Sequence, residues 1–216
     1  MNASSSRRST PATATRSSAA LRSLYLADAG VFALGFAVSL IGDAGHVSSG
    51  MTRYAWPGVP SLWYSAVWFP FVVAGSILVV ARIGRGLGLP GRARTRTQAA
   101  LGVAAVLVLY SMTAAFYGQP DPVTVPLTVA AGVGIWAFWD PTRRTFLLAL
   151  ACACVGPLAE IGFVQLGAVE YGEQARALWG VSPMLPGLYF AAATVASGLH
   201  RSLMCRELSE GGSGRP

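Results

Sequence analysis

The sequence lacks lysine and has little charge of either sign. All 16 basic residues are arginine, and only 12% of the 216 residues are charged, about half the share found in an average soluble domain. The absence of lysine excludes Schiff-base chemistry, a P-loop lysine and ubiquitin attachment to a lysine. Because 53% of the residues are apolar, too few charged side chains remain to coat a water-soluble domain.

Cysteine and histidine are also scarce. The three cysteines, Cys152, Cys154 and Cys205, are too few for a disulfide framework. The first two are expected to face different sides of an apolar helix, as packing or lipid-facing residues. His46 and His200 are separated by nearly the whole chain and match no metal-ligand spacing. No serine, cysteine or aspartate has the neighbours that a hydrolase or a lipid transferase requires. We therefore predict no catalytic residue, no metal and no cofactor.

Long apolar runs fill most of the chain. Each is close to the ~20 residues that an α-helix needs to cross ~30 Å of hydrocarbon. Their even number and short connections predict an all-α, polytopic membrane protein with six transmembrane helices over residues 21–206. We predict that residues 1–20 form a disordered cytoplasmic tail, because they hold almost no large apolar side chain. Residues 207–216 are predicted to form a flexible C-terminal tail. The six predicted spans are Leu24–Ile41, Leu62–Ala81, Gln98–Tyr117, Val123–Trp139, Thr145–Gly167 and Pro183–Leu203.

The arginines are unevenly distributed among the predicted loops. Fourteen of the 16 lie in the two terminal segments and in the loops after the second and fourth spans, whereas only Arg53 and Arg176 lie in the other three loops. This positive-inside bias predicts that both termini face the cytoplasm. The net charge of +7 is therefore interpreted as an orientation signal and a contact for anionic lipid. Nucleic acid is not expected as a partner.

Glu160 is the ionisable residue least expected in an apolar span. Counting from Thr145 places it roughly 22 Å into the fifth span, where an ionised side chain is costly unless it faces a partner or a cavity. Two interpretations stay open: a polar contact for a ligand head group inside the bundle, or a protonated acid bonded to a neighbouring helix. A small proton-linked transporter that uses Glu160 is the alternative function. A membrane enzyme acting on lipids and a scaffold without a ligand are the remaining classes.

Three prolines interrupt apolar spans and predict a cavity. Pro70, Pro126 and Pro157 each remove a backbone hydrogen bond and are expected to bend the second, fourth and fifth helices, although proline is also common in membrane helices that enclose nothing. Bent helices would leave a lipid-sized hollow in the bundle, with a few polar groups fixing the lipid head. The predicted lipid-binding wall consists of Trp63, Trp68, Val106, Tyr110, Val123, Leu127, Glu160 and Gln165.

Asp140 has a structural and a functional interpretation. Asp140-Pro141 followed by Thr142 is typical of an N-cap and first turn for the fifth helix, and the residue pattern alone favours this role. An acidic residue at a membrane boundary, beside Arg143 and Arg144, would also serve as a docking point for a partner. Close helix contacts, within the bundle or between protomers, are expected at small residues, namely Gly132, Gly134, Ala192 and Ala196.

Three blocks of the sequence resemble the Insig (insulin-induced gene) family. The second span has Ser65-Ala66, Trp68 and Pro70, similar to the family's Ser-Ala-Trp-Trp-x-Pro. Residues 134–146 resemble Gly-Leu-Trp-Trp-x-x-Asp-x-Ser-Arg-x-x-Phe, and residues 185–203 resemble Leu-Pro-x-x-Phe-Phe-Ala with a later Arg-Gln-Leu. Order, spacing and six-span layout agree from Leu62 to Leu203, and the chain is similar to a bacterial, mycobacterial homologue of the family.

The resemblance implies a sterol-sensing, six-helix protein that binds oxysterols and holds the partner Scap, with Asp140 on an aspartate that the family needs for that partner. Two positions that contact sterol in the family fall on Val106 and Val123. The family has a glutamine where Val123 stands, and its loss favours a diacylglycerol-like neutral lipid over an oxysterol. We expect a multi-pass protein of the bacterial inner (plasma) membrane with a bound lipid. A homo-oligomer is also expected, with a trimer as the working hypothesis.

Overall fold

Six α-helices form a bundle. The computed structural model describes residues 11–89 and 94–210, with side chains for 20–89 and 94–204. Five of its helices, α1 to α5, are long and apolar enough to cross a membrane. The predicted six-helix, membrane-type architecture is therefore confirmed. The helices are α1 (Pro11–Ser48), α2 (Trp68–Gly86), α3 (Arg96–Ala115), α4 (Asp121–Trp139), α5 (Arg143–Gln165) and α6 (Leu185–Glu210).

Helix α6 lies at the centre of the bundle. It packs against all five other helices, and most of its residues up to Ser202 are buried. A helix shielded from lipid in this way can carry small and polar residues. The Ser197 hydroxyl donates a hydrogen bond to the Thr194 carbonyl within α6, and His200 bonds to Asp28 of α1. The other helices present the large apolar side chains that suit contact with lipid tails, for example Val79, Leu101 and Leu158, which are all exposed.

Two short strand pairs close one end of the bundle. Strand β1 (Thr52–Tyr54) follows α1, and β4 (Val169–Tyr171) follows α5. These two strands pair antiparallel, and the side chains of Arg53 and Glu170 form a salt bridge across the pair. Strands β2 (Ser61–Leu62) and β3 (Ser65–Ala66) form a second pair just before α2. We call this end the strand end, and the opposite end, where α1 begins and α6 finishes, the terminal end.

Two helix boundaries at the strand end differ from the predicted spans. Helix α1 continues to Ser48, so Asp43 and His46 lie in the helix and not in the following loop. Both side chains are buried, and their polarity reflects partners inside the bundle, not exposure to water. Helix α2 begins at Trp68 and not at Leu62, because the preceding residues form β2 and β3.

The prolines differ in their positions along the helices. Pro70 lies in the first turn of α2, where a missing N–H breaks no helical hydrogen bond. The predicted interruption of the second helix is therefore wrong. Pro126 and Pro157 lie inside α4 and α5, as predicted.

The predicted tails overlap the ends of two helices. Residues 1–10 and 211–216, which belong to these tails, lie outside the described residues. Helix α1 already begins at Pro11, and α6 extends to Glu210. The middle of α1 and the last described turns of α6 are neighbours, since a Cβ on Gly30 would lie 3.0 Å from Leu203.

A charged cluster joins α1, α2 and α6 near the terminal end. Arg82 Nη2 donates a hydrogen bond of 2.6 Å to Asp28 Oδ2, and His200 Nε2 lies 2.9 Å from Asp28 Oδ1. Asp28 and His200 are both buried. A buried carboxylate is costly unless it is paired and hydrogen-bonded, so the cluster fixes the relative positions of three helices. Sequence analysis missed it because Asp28 and His200 are 172 residues apart.

Glycines allow α4 and α6 to touch. A Cβ on Gly132 would lie 2.8 Å from the carbonyl oxygen of Gly187, and a Cβ on Gly187 would lie 2.9 Å from the backbone of Thr128. A Cβ on Gly134, one half-turn from Gly132, would meet no atom within 4 Å. Of these two predicted close-contact positions on α4, only Gly132 packs tightly within the bundle.

We expect Asp28→Ala to lower the thermal unfolding temperature of the detergent-solubilised protein. The substitution removes the hydrogen-bond partner of the fully buried His200 and leaves its imidazole unsatisfied. Glu173→Ala is the matched control, because Glu173 is an exposed acid in an i,i+3 ion pair and such pairs contribute little. Equal unfolding temperatures for the two variants would contradict a role of the cluster in joining the helices.

We expect Gly132→Ala to destabilise the bundle and Gly134→Ala to leave it at least as stable as the parent. The first methyl group overlaps the α6 backbone, whereas the second enters open space and adds up to about 1 kcal/mol of helix propensity. Thermal unfolding monitored by tryptophan fluorescence compares the two directly. A larger loss in Gly134→Ala than in Gly132→Ala would show that the α4–α6 contact is placed wrongly.

Candidate functional site

A cavity lies inside the bundle between α1, α2, α3, α5 and α6, and β1 and β4 close it at the strand end. The space free of protein atoms is about 1330 Å³, including the open mouth. Among the described residues, α4 contributes none to its wall. The part of the cavity deeper in the bundle is lined by apolar side chains, among them Ile77, Val80, Val106, Leu188, Ala192 and Ala193.

The cavity opens sideways between α2 and α5. Both helices pack against α6, but they form no extended contact with each other. Wall residues on the two sides of this gap are exposed, namely Val72 and Ser76 on α2 and Val155 and Ala159 on α5. Within a bilayer such a gap faces the lipid tails, so an apolar molecule can enter the cavity without crossing water.

Glu160 on α5 faces the polar part of the cavity, near the strand end. The Tyr189 hydroxyl donates a hydrogen bond of 2.9 Å to Oε1, and the Tyr171 hydroxyl donates one of 3.4 Å to Oε2. The residue is only 5% exposed. Gly156, one turn earlier on α5, leaves the space that the Tyr189 ring occupies. Both interpretations of Glu160 thus describe part of its environment, since it bonds to a neighbouring helix and also lines the cavity.

Asp43 on α1 brings a second carboxyl group to the same cavity. Its Oδ2 accepts a hydrogen bond of 2.5 Å from the Tyr54 hydroxyl, which also lies 3.4 Å from Ser65 Oγ. Tyr54 and Tyr171 lie on the paired strands β1 and β4, so this strand pair is bonded to a carboxyl group on α1 and to another on α5.

The two strand tyrosines are hydrogen-bond donors at neutral pH. Burial raises the pKa of Tyr54 well above its usual range, and the neighbouring Asp43 raises it further. Burial likewise raises the pKa of Tyr171, with a further contribution from Glu160. Both phenols therefore keep their protons and direct them at the carboxyl groups.

His46 and Tyr110 complete the polar part of the wall. His46 Nε2 lies 2.8 Å from Thr113 Oγ1, and the Thr113 hydroxyl donates to the carbonyl oxygen of Tyr110 at 2.6 Å. Because the hydroxyl proton of Thr113 is used in that bond, His46 Nε2 is the donor. The His46 ring also packs edge-on against Tyr110, with 4.7 Å between the ring centroids.

Three predicted wall residues, Val106, Tyr110 and Glu160, line the cavity. Trp68 lies one layer behind the wall. Its ring packs 5.2 Å from Phe163, a residue that does line the cavity. The cavity wall therefore contains two of the predicted residues on α3 and one on α5, and Trp68 of α2 lies behind it.

The other four predicted wall residues lie elsewhere. Trp63 is 63% exposed in the turn between β2 and β3, with a left-handed φ of 60°. Val123 and Leu127 are exposed on α4, the helix that contributes no wall, and Gln165 is exposed at the end of α5. The spans are apolar on all sides, so their sequence does not indicate which face turns inward. The expectation that these four side chains line the cavity is corrected accordingly.

The polar cavity residues that the sequence did not indicate are Asp43, His46, Tyr54, Tyr171 and Tyr189. Asp43 lies two residues beyond the predicted end of the first span, Ile41, although the physical reason that singles out Glu160 applies equally to it. The tyrosines carry no sequence signal of their own, because their role depends on which carboxyl group the fold places beside them.

Asp140 does not cap α5. The N-cap is Thr142, whose side chain accepts a hydrogen bond from the Thr145 N–H. Asp140 Oδ2 instead accepts hydrogen bonds from the hydroxyls of Thr145, at 2.5 Å, and Thr142, at 3.4 Å. The residue is 5% exposed, so its carboxyl group stabilises the turn between α4 and α5 from inside the protein.

No metal-binding geometry occurs among the described residues, where no group of three or more histidine, cysteine or acidic side chains could hold an ion. Cys152 lines the cavity and Cys154 is exposed, so the two cysteines face different sides of α5, as expected.

The comparisons with known proteins agree with this fold. No protein-family model matches the chain. The INSIG protein homolog of Mycolicibacterium vanbaalenii is 37% identical over 168 residues, which are 77% of this chain and 81% of that protein. The crystal structure of the mycobacterial Insig homolog MvINS from Mycobacterium vanbaalenii matches with a TM-score of 0.77 and 36% identity, over 83% of this chain and 95% of that one. A crystal structure of a cross-linked MvINS trimer matches to the same extent. With its apolar helices, this chain is an integral membrane protein and belongs to the Insig family.

Proposed function

We propose that this protein is a non-catalytic lipid-binding protein of the bacterial inner membrane, which holds a diacylglycerol-like or sterol-like lipid in its cavity. The observation that carries the proposal is the sideways opening between α2 and α5, which joins an apolar cavity to the hydrocarbon of the bilayer. A cavity that opens into lipid and has a polar end suits an amphiphile better than a water-soluble substrate.

Polar contacts matter more here than in a water-facing pocket. A lipid that moves from the bilayer into the cavity leaves one apolar environment for another, so burial of its tails gains little hydrophobic free energy. Affinity then depends on close packing and on hydrogen bonds to the groups around Asp43 and Glu160. These groups lie on α1, α3, α5, α6 and the strand pair. Because these groups offer mainly acceptors, they suit the free hydroxyl group that a diacylglycerol and a sterol share.

We also infer a trimer with both termini in the cytoplasm. The similarity to MvINS, of which a cross-linked cysteine variant is a trimer, supports the trimer. The distribution of the arginines supports the orientation. Arginines near the helix termini are more numerous at the terminal end than at the strand end, as expected for the cytoplasmic side. The terminal end has Arg82, Arg85, Arg94, Arg96, Arg143, Arg144 and Arg201, and the strand end has Arg53 and Arg176.

Native mass spectrometry of the protein released from a mild detergent tests the lipid and the oligomer together. We expect one neutral lipid per protomer in a trimer. Ala159→Trp places an indole in the mouth of the cavity and should reduce lipid occupancy about tenfold by closing the gap. Ala151→Trp is the matched control, because Ala151 is an exposed alanine of α5 outside the cavity wall.

Two results would contradict the proposal. One is the absence of a stoichiometric lipid from the parent protein across several detergents. The other is equal occupancy in the two tryptophan variants, which would place the lipid outside the cavity. In reconstituted vesicles, a pH-dependent flux that disappears in Glu160→Gln would favour the proton-linked transporter instead.

A further inference from the structure

We infer that the cavity selects its occupant by head-group charge: Asp43 and Glu160 make it accept neutral lipids with a free hydroxyl group and reject anionic lipids. This inference rests on the proposed function and concerns the polar end of the same cavity. The charged groups and hydrogen-bond donors around that end support it.

Among the described residues, the cavity wall contains two carboxyl groups and no arginine. The chain has no lysine. The sole basic side chain of the described wall is His46, whose Nε2 already bonds to Thr113. Arg53 lies on β1 between the wall residues Thr52 and Tyr54, yet it is exposed and pairs with Glu170 across the strands. An anionic head group in this cavity would therefore meet negative charge without a compensating cation.

Most hydrogen-bond donors of the polar end already donate to protein groups. Three of the four tyrosines that line the described wall direct their hydroxyl protons at the carboxyl groups, Tyr54 at Asp43 and both Tyr171 and Tyr189 at Glu160. A phosphate requires donors or cations around its oxygens. The cavity offers a phosphate mainly hydrogen-bond acceptors. Each carboxylate has about four lone-pair sites, of which Asp43 uses one for a tyrosine proton and Glu160 uses two.

A hydroxyl group fits either protonation state of these carboxyl groups. It donates to an ionised carboxylate and accepts from a protonated acid. A phosphate fits only when both acids are protonated, because like charges in a poorly solvated site repel strongly. Tail packing offers no such discrimination, since a diacylglycerol and the corresponding phosphatidic acid carry identical chains. The carboxyl pair therefore distinguishes the two lipids at the one place where they differ.

Competition between dioleoylglycerol and dioleoylphosphatidic acid tests the inference. Delipidated full-length protein in detergent is mixed with equal amounts of both, and the ratio of bound lipids is read by native mass spectrometry. We expect the parent protein to prefer dioleoylglycerol at least about tenfold. Asp43→Asn combined with Glu160→Gln keeps the side-chain shapes, removes the charges and adds N–H donors. It should reduce the preference to about threefold or less, mainly by gain of phosphatidic acid.

Two further variants keep the test decisive if the double variant does not fold. Glu173→Gln removes an exposed acid outside the cavity and should leave the ratio unchanged. Ser76→Arg adds a cation at the exposed mouth, and its long side chain can extend toward the polar end of the cavity. It should increase binding of phosphatidic acid about tenfold relative to the parent.

The outcomes separate this inference from the proposed function. If the parent protein binds both lipids equally, or if neither the double variant nor Ser76→Arg changes the ratio, charge selection is wrong while lipid binding stands. If the parent binds neither lipid and carries no other neutral lipid, the proposed function fails and the inference with it.

Discussion

A polar group placed between membrane helices has to find its partner inside the protein, because hydrocarbon offers none. This constraint organises the bundle. Asp28 bonds to Arg82 and His200 at the terminal end, and His46 bonds to Thr113 where α1 meets α3. These pairings join α1 to α2, α6 and α3, so the polar side chains help to fix which helices are neighbours. The apolar surface outside these contacts is nearly uniform and would permit several arrangements.

The same constraint shapes the site. Helix α6 occupies the centre and packs against five neighbours, while α2 and α5 pack on it without an extended contact between them. The gap between them exposes a cavity whose polar groups bond mostly among themselves, Tyr54 with Asp43 and Tyr189 with Glu160. A molecule that enters from the bilayer meets apolar walls first and carboxyl groups at the end. This order of contacts suits a lipid that has tails and a small uncharged head.

Sequence alone predicts the number of helices, most of their bounds and the membrane setting, because hydrophobic length and charge are local properties. It also identifies Glu160, since an ionisable residue in an apolar span is unusual wherever it faces. It fails where the answer depends on the direction of a side chain. Val123 and Val106 look alike in sequence, yet the first faces outward on α4 and the second lines the cavity. Asp43 and His46 lie beyond the predicted end of the first span but inside α1, because polarity alone does not distinguish exposure to water from a buried partner.

The central claim is that a lipid sits within the bundle and not around it, and photo-crosslinking tests this most directly. A diacylglycerol with a diazirine in one acyl chain is bound to the purified protein, activated by light, and located by peptide mass spectrometry. We predict labels on the cavity walls of α2, α5 and α6, such as Ile77, Cys152 and Ala192. Labels confined to the outer surface of α4, around Val123 and Leu127, would contradict it.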